Sequence, residues 1–178
     1  MQVGWDGSLG GDFITTVARE LQLEEGVLAD ELYFEDLRPG MKIRSIRSYE
    51  ITAAEIKEFA AKFDPQPFHL DEVAAEKTFF KGLAASGWMT AAITMRLRVE
   101  SMHVAGGMIG AGVDEIKFTQ PVRPGDWLRT ETEILSARRS TSRPEIGVIK
   151  SSTLVFNQRD EVVMRSVVNF IAPLRNNN

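Results

Sequence analysis

One segment of the sequence, residues 88–102, constrains the fold more than any other. It reads WMTAAITMRLRVESM and contains neither glycine nor proline. An uninterrupted apolar stretch of this kind favours a helix, and its first half is apolar all round, which is typical of a deeply buried helix. Small-residue loops enclose it at residues 82–87 and 106–112. We therefore expect a long central helix inside a single core.

The chain after this helix has the pattern of strands. Four segments alternate or are rich in β-branched residues, with short turns between the later ones: residues 113–118, 127–137, 146–157 and 162–174. Consecutive strands joined by short turns form antiparallel sheets. One long helix against such a sheet predicts an α+β domain of two layers.

Two elements are predicted before the central helix. Residues 41–51 read as one strand after a Pro-Gly turn. Thr52 and Glu55 then have the spacing of a capping box, which predicts the start of a helix. Pro65 disfavours helical geometry in the residue before it, so this helix must end by residue 64.

Composition and charge exclude several classes of protein. The chain has 178 residues, of which 43% are hydrophobic and 26% charged, as in globular proteins. No apolar run approaches the ~20 residues of a membrane span, and the first residues lack the pattern of a secretory signal. With no cysteine, disulfides and cysteine-ligated metals are excluded. We expect a cytoplasmic protein without a metal.

Charge is distributed unevenly along the chain. Residues 1–36 hold nine acidic residues and one basic residue, so the remainder is mildly basic. That charge is too weak to indicate nucleic-acid binding, although it is compatible with an anionic ligand. We expect an acidic N-terminal extension over residues 1–31, partly helical or flexible, and one domain over residues 32–178.

A proline-framed loop carries the candidate catalytic side chains. Asp64 and His69 are five residues apart, with Pro65 and Pro67 between them. Two prolines fix φ at two positions and favour a rigid, non-helical loop, which could aim a carboxylate and an imidazole into one space for acid–base chemistry. The alternative is that Asp64 caps a turn while His69 bonds to the backbone. The residues alone leave both interpretations open.

These residues resemble a known family. FDPQPFHLDE followed by GLAASGWMTAA is similar to the MaoC-like dehydratases, which include the (R)-specific enoyl-CoA hydratases. Three residues match the family signature at the right spacing: Asp64, Pro67 and His69. Three positions depart from it: Phe63 stands for the usual Gly, Gln66 for Asn, and Ser86 for the His of a His-Gly pair. The resemblance covers roughly residues 32–175.

The resemblance implies a fold, a reaction and a partner. The fold is a single hotdog domain, a long central helix wrapped by a curved antiparallel sheet, paired as a homodimer. The reaction is that of a hydro-lyase of fatty acid metabolism, the reversible syn hydration of a trans-2-enoyl-CoA to an (R)-3-hydroxyacyl-CoA, and it needs no cofactor. Asp64 and His69 would hold and activate the water, and the Gly87 N–H would bind the thioester oxygen. Four further residues would contact the acyl-CoA substrate: Gln66, Pro67, Ser86 and Trp88.

Two other functions fit the same resemblance. A hotdog acyl-CoA thioesterase shares the fold but typically places its carboxylate on the central helix, where Glu100 lies far from the start. A non-catalytic acyl-thioester-binding protein would bind without turnover. Retention of both Asp64 and His69 favours the hydratase.

Overall fold

The computed structural model describes residues 31–175. The acidic extension predicted over residues 1–31 therefore lies outside the described residues, except for Glu31, and it stays a prediction.

One antiparallel sheet of six strands forms one layer of the domain. The strand order is β1-β4-β5-β6-β3, and β2 also pairs with β4. The strands are β1 (Lys42–Arg44), β2 (Tyr49–Glu50), β3 (Ile109–Phe118), β4 (Trp127–Arg139), β5 (Ile146–Phe156) and β6 (Val162–Pro173). The four late strands of the sequence analysis are confirmed, and the domain is α+β. Strand β3 begins four residues earlier than predicted. Its glycines do not form a loop but accommodate a register shift in the pairing with β6.

The single strand predicted over residues 41–51 is wrong in its continuity. It is divided into β1 and β2, and both pair with β4. The division falls at Ser45, whose hydroxyl accepts from the Thr130 N–H at 3.0 Å. Ile46 N–H donates to the Ser101 hydroxyl at 3.1 Å. Side-chain hydroxyls thus replace backbone carbonyls as acceptors here, and the hydrogen-bond ladder with β4 is interrupted between β1 and β2.

The helix predicted after Thr52 is confirmed as α1 (Ala53–Phe63). Glu55 N–H donates to the Thr52 hydroxyl at 3.2 Å, and Thr52 N–H donates to the Glu55 carboxylate at 3.1 Å. This is the capping box expected from the spacing. The helix ends at residue 63, one residue before the limit that Pro65 set.

The segment between α1 and the central helix contains two short helices. They are α2 (Pro67–Leu70) and α3 (Glu72–Glu76). The prediction that residues 64–69 are non-helical is therefore wrong for the second half. Pro67 occupies the first position of α2, where proline loses no hydrogen bond and its φ suits a helix.

The central helix is α4 (Gly87–Ser101), and it buries one face against the sheet. Met89, Ile93 and Leu97 belong to the core, with Leu97 fully buried. The predicted deep burial of its first half is wrong for one side of the helix, since Trp88 is 63% exposed and Met95 44% exposed. One helix on one sheet has a single covered face, so the apolar opposite face is open in this chain.

In the part of the chain that the structure describes, none of the helices has the length and apolar character needed to cross a membrane.

Candidate active site

The structure places the predicted acid–base pair together. The Nε2 atom of His69 lies 3.4 Å from the Oδ2 atom of Asp64. The His69 side chain is 6% exposed and that of Asp64 is 23% exposed. Asp64 ends α1 and His69 lies within α2, so the turn between the two helices sets their separation. The carboxylate therefore reaches solvent while the imidazole is held in the interior.

A backbone carbonyl orients the imidazole ring of His69. The Nδ1 atom of His69 lies 2.6 Å from the Ala84 carbonyl oxygen. A carbonyl can only accept, so Nδ1 carries a hydrogen and Nε2 is the ring nitrogen that faces the Asp64 carboxylate. One ring nitrogen thus bonds to the backbone while the other faces Asp64, and the catalytic role of the pair stays a prediction.

Ser86 connects the carboxylate to the central helix. Its hydroxyl donates to Asp64 Oδ2 at 2.7 Å and accepts from the Trp88 N–H at 3.2 Å. Ser86 is therefore the N-cap of α4, a role for which serine is well suited. The same hydroxyl orients the carboxylate, and it holds the start of α4 beside the Asp64–His69 pair.

Gly87 is the first residue of α4, so its N–H belongs to the unpaired donors at a helix start. The ring of Phe118 passes close to it: a Cβ at position 87 would lie 2.7 Å from two ring carbons. Only glycine fits here without movement. The helix start thus brings a free donor and a partial positive charge to the site.

A cavity of about 420 Å³ lies next to His69, and neither Asp64 nor Ser86 is among its lining residues. His69 and Gly87 both line it, and Phe118 closes one side. The remaining walls are mainly apolar or hydroxyl-bearing: Phe79, Phe80, Ala85, Thr90, Thr119, Gln120, Pro121, Val122 and Val163. A cavity of this size with few polar groups suits a small organic ligand.

Arg123 also supports the wall of this cavity. Its guanidinium donates to the carbonyls of Gly82 at 2.6 Å and Leu83 at 3.0 Å, and also to that of Phe80. These bonds fix the loop that leads into α4. No sequence pattern predicted this role, because the carbonyls that Arg123 binds lie some 40 residues away in the sequence.

All four predicted substrate contacts lie outside the cavity lining. Gln66 and Pro67 are exposed, and Gln66 bonds through its backbone to the Asp64 carbonyl at 2.7 Å. Trp88 lies on the open face of α4. Of these four residues, Ser86 alone bonds to the side chain of Asp64. Within residues 31–175 there is no cluster of three side chains able to hold a metal ion.

Comparison with known proteins gives one family. The model of the family described as "MaoC like domain" matches residues 35–154 of this chain. The structure of a MaoC-like dehydratase from Rhodospirillum rubrum is 50% identical, with a TM-score of 0.77, and the match covers 81% of this chain and 98% of that one. The structure of the R-hydratase PhaJ1 from Pseudomonas aeruginosa is 27% identical, with a TM-score of 0.66, covering 82% of this chain and 88% of that one.

A more distant structure identifies the fold. A conserved hypothetical protein from Mycobacterium tuberculosis, described as having a double hotdog fold, has a TM-score of 0.68 at 15% identity. The match covers 83% of this chain and 46% of that one. At that identity the likeness concerns the fold alone. The predicted hotdog fold is confirmed.

Proposed function

The chain belongs to the MaoC-like dehydratase family, and on that premise we propose that it hydrates trans-2-enoyl-CoA thioesters reversibly to (R)-3-hydroxyacyl-CoA. The observation that carries the proposal is the 3.4 Å approach of His69 Nε2 and Asp64 Oδ2 beside the cavity that Gly87 lines.

The pair can hold and activate one water. A water between Nε2 and the carboxylate donates to both, since each presents a lone pair. As the water oxygen bonds to C3 of the enoyl group, Nε2 takes its proton, and the resulting imidazolium is stabilised by the adjacent carboxylate. Return of that proton to C2 from the same nitrogen delivers oxygen and hydrogen to one face, which is syn addition.

The start of α4 would bind the carbonyl oxygen of the thioester. Negative charge develops on that oxygen when C3 is attacked, and the Gly87 N–H is the donor that would bind it. The helix dipole adds to the stabilisation, because its positive end is at Gly87. The Ser86 hydroxyl contributes indirectly, since it fixes the Asp64 carboxylate relative to this donor.

The test of this class of reaction uses crotonyl-CoA. We expect the protein to lower the absorbance of the enoyl thioester to an equilibrium value without releasing free thiol, and to form the (R)-3-hydroxy product. Release of thiol would instead support a thioesterase. The structure gives that alternative little support: Glu100, the acidic residue of α4, is bound by Arg47 at 2.6 Å and by Arg96 at 3.0 Å. Stabilisation by acyl-CoA without turnover would indicate a binding protein.

We also propose that a second copy of this chain covers the open face of α4 and β3. Several large apolar side chains are exposed on these two elements: Trp88, Met95, Val99, Ile109, Val113 and Phe118. Among the strands that the structure describes, β3 pairs only with β6, so its other edge is available. An apolar face beside an open strand edge is suited to a symmetric dimer.

Val99→Glu tests this pairing, because it places a charge in the apolar face. Sedimentation velocity is expected to give the mass of two chains for the wild type and of one chain for the variant. Val73→Glu is the matched control, since Val73 is 65% exposed on α3, outside this face. A monomeric wild type, or dimers of both variants, would contradict the proposed interface.

A further inference from the structure

Arg98 is a buried cation that the acid–base chemistry does not use. It lies on α4 and is 3% exposed. Its Nη2 atom donates to the Ser151 hydroxyl at 3.1 Å, a neutral acceptor. Its Nε atom has no hydrogen-bond partner among residues 31–175. Burial lowers the pKa of Arg98 to about 10, and the guanidinium is still protonated at neutral pH.

A buried charge with no carboxylate paired to it among residues 31–175 is costly, so Arg98 points to an anion that binds there. Arg98 lines a cavity of about 290 Å³ between α4 and the strands β3 and β6. The other lining residues are mainly apolar or glycine: Met95, Met108, Gly110, Gly112, Val113, Val168, Asn169 and Phe170. One cation among apolar walls suits an aliphatic chain with an anionic end better than an inorganic ion.

This cavity and the cavity lined by His69 and Gly87 share no lining residue, but residues of the same three elements line both. Both are bounded by α4, β3 and β6. Along α4, Gly87 and Thr90 line the first and Arg98 the second, with the buried Thr94 between them on the same face. Gly87 and Arg98 are separated by about 16 Å along the helix axis, a distance that the long arginine side chain shortens.

We infer that the Arg98 cavity receives a carboxylate at the far end of the acyl chain of the enoyl thioester. The inference rests on the proposed hydratase function and specifies its substrate class, a medium-chain enoyl thioester with a distal carboxylate. Met95 and Val113 also belong to the proposed dimer face, so the carboxylate lies beside that interface.

The experiment compares two thioesters of equal length, trans-2-octenoyl-CoA and trans-2-octenedioyl-CoA, which differ in the distal carboxylate. We expect the wild type to favour the carboxylated substrate in kcat/KM by about ten- to a hundredfold, the ratio given by one hydrogen bond to a charged group. Arg98→Met is expected to abolish this preference. Arg96→Met is the matched control, since Arg96 lies two residues earlier with an exposed side chain, and it should retain the preference.

A second readout does not depend on turnover. Free suberate should raise the Tm of the wild type and of Arg96→Met, and leave that of Arg98→Met unchanged. If no enoyl thioester is hydrated but suberate still stabilises through Arg98, the proposed function fails and the anion site stands. If the wild type hydrates both thioesters equally and suberate has no effect, the inference about Arg98 is overturned and the hydratase stands.

Discussion

Asp64→Asn is expected to lower kcat for hydration of crotonyl-CoA by about a thousandfold, the usual contribution of a positioned acid–base group. The amide has the shape of the carboxylate. Its oxygen can still accept the hydrogen bond from the Ser86 hydroxyl, which is 2.7 Å long in the wild type. It cannot stabilise an imidazolium at His69 Nε2 as a charge does. The Tm should therefore change little while the chemical step slows.

Asp71→Asn provides the control for this variant. Asp71 is the N-cap of α3 and accepts from the Ala74 N–H at 2.7 Å, a role that asparagine fills equally well. Both its kcat and its Tm should match those of the wild type. Equal rates for Asp64→Asn and the wild type would remove Asp64 from the mechanism.

Gly87→Ala should reduce kcat by about a hundredfold, because it displaces the donor proposed to stabilise the thioester oxygen. The added Cβ would lie 2.7 Å from the Phe118 ring, so either the ring or the start of α4 must move. Such overpacking also costs about 1–3 kcal/mol of stability. Activity and urea unfolding of the same preparation measure the two effects.

Gly147→Ala separates the loss of stability from the loss of catalysis. Gly147 is in β5, where a Cβ would overlap the ring of Phe34. Neither residue lines the cavity beside His69 and Gly87. We expect a comparable fall in stability with kcat close to that of the wild type. If Gly147→Ala loses as much kcat as Gly87→Ala, the effect is general destabilisation and the oxyanion role of Gly87 is wrong.

Local signals in the sequence were sufficient for much of the fold. Thr52 and Glu55 predicted a helix start, and Pro65 predicted its end, because capping and proline geometry involve residues within one turn. The late strands were found from their alternation. Ser45 was missed as an interruption, since its effect depends on a bond to Thr130, which is distant in the sequence.

Less of the candidate site than of the fold could be predicted from the sequence. Asp64 and His69 were found through their proline frame and the family signature. The bond from Ser86 to Asp64 and the clamp by Arg123 join residues from different elements, which no local pattern encodes. The exposure of Trp88 was also not predicted, because the apolar pattern of a helix does not show whether its own chain or a second copy covers it.

Hydration of crotonyl-CoA in D₂O tests the central claim most directly. If the Asp64–His69 pair delivers water to one face, NMR of the product will show a single deuterium at C2, on the same face as the new hydroxyl at C3. Deuterium on the opposite face, or on both faces equally, would contradict the account, because one acid–base pair on one side of the substrate cannot produce it.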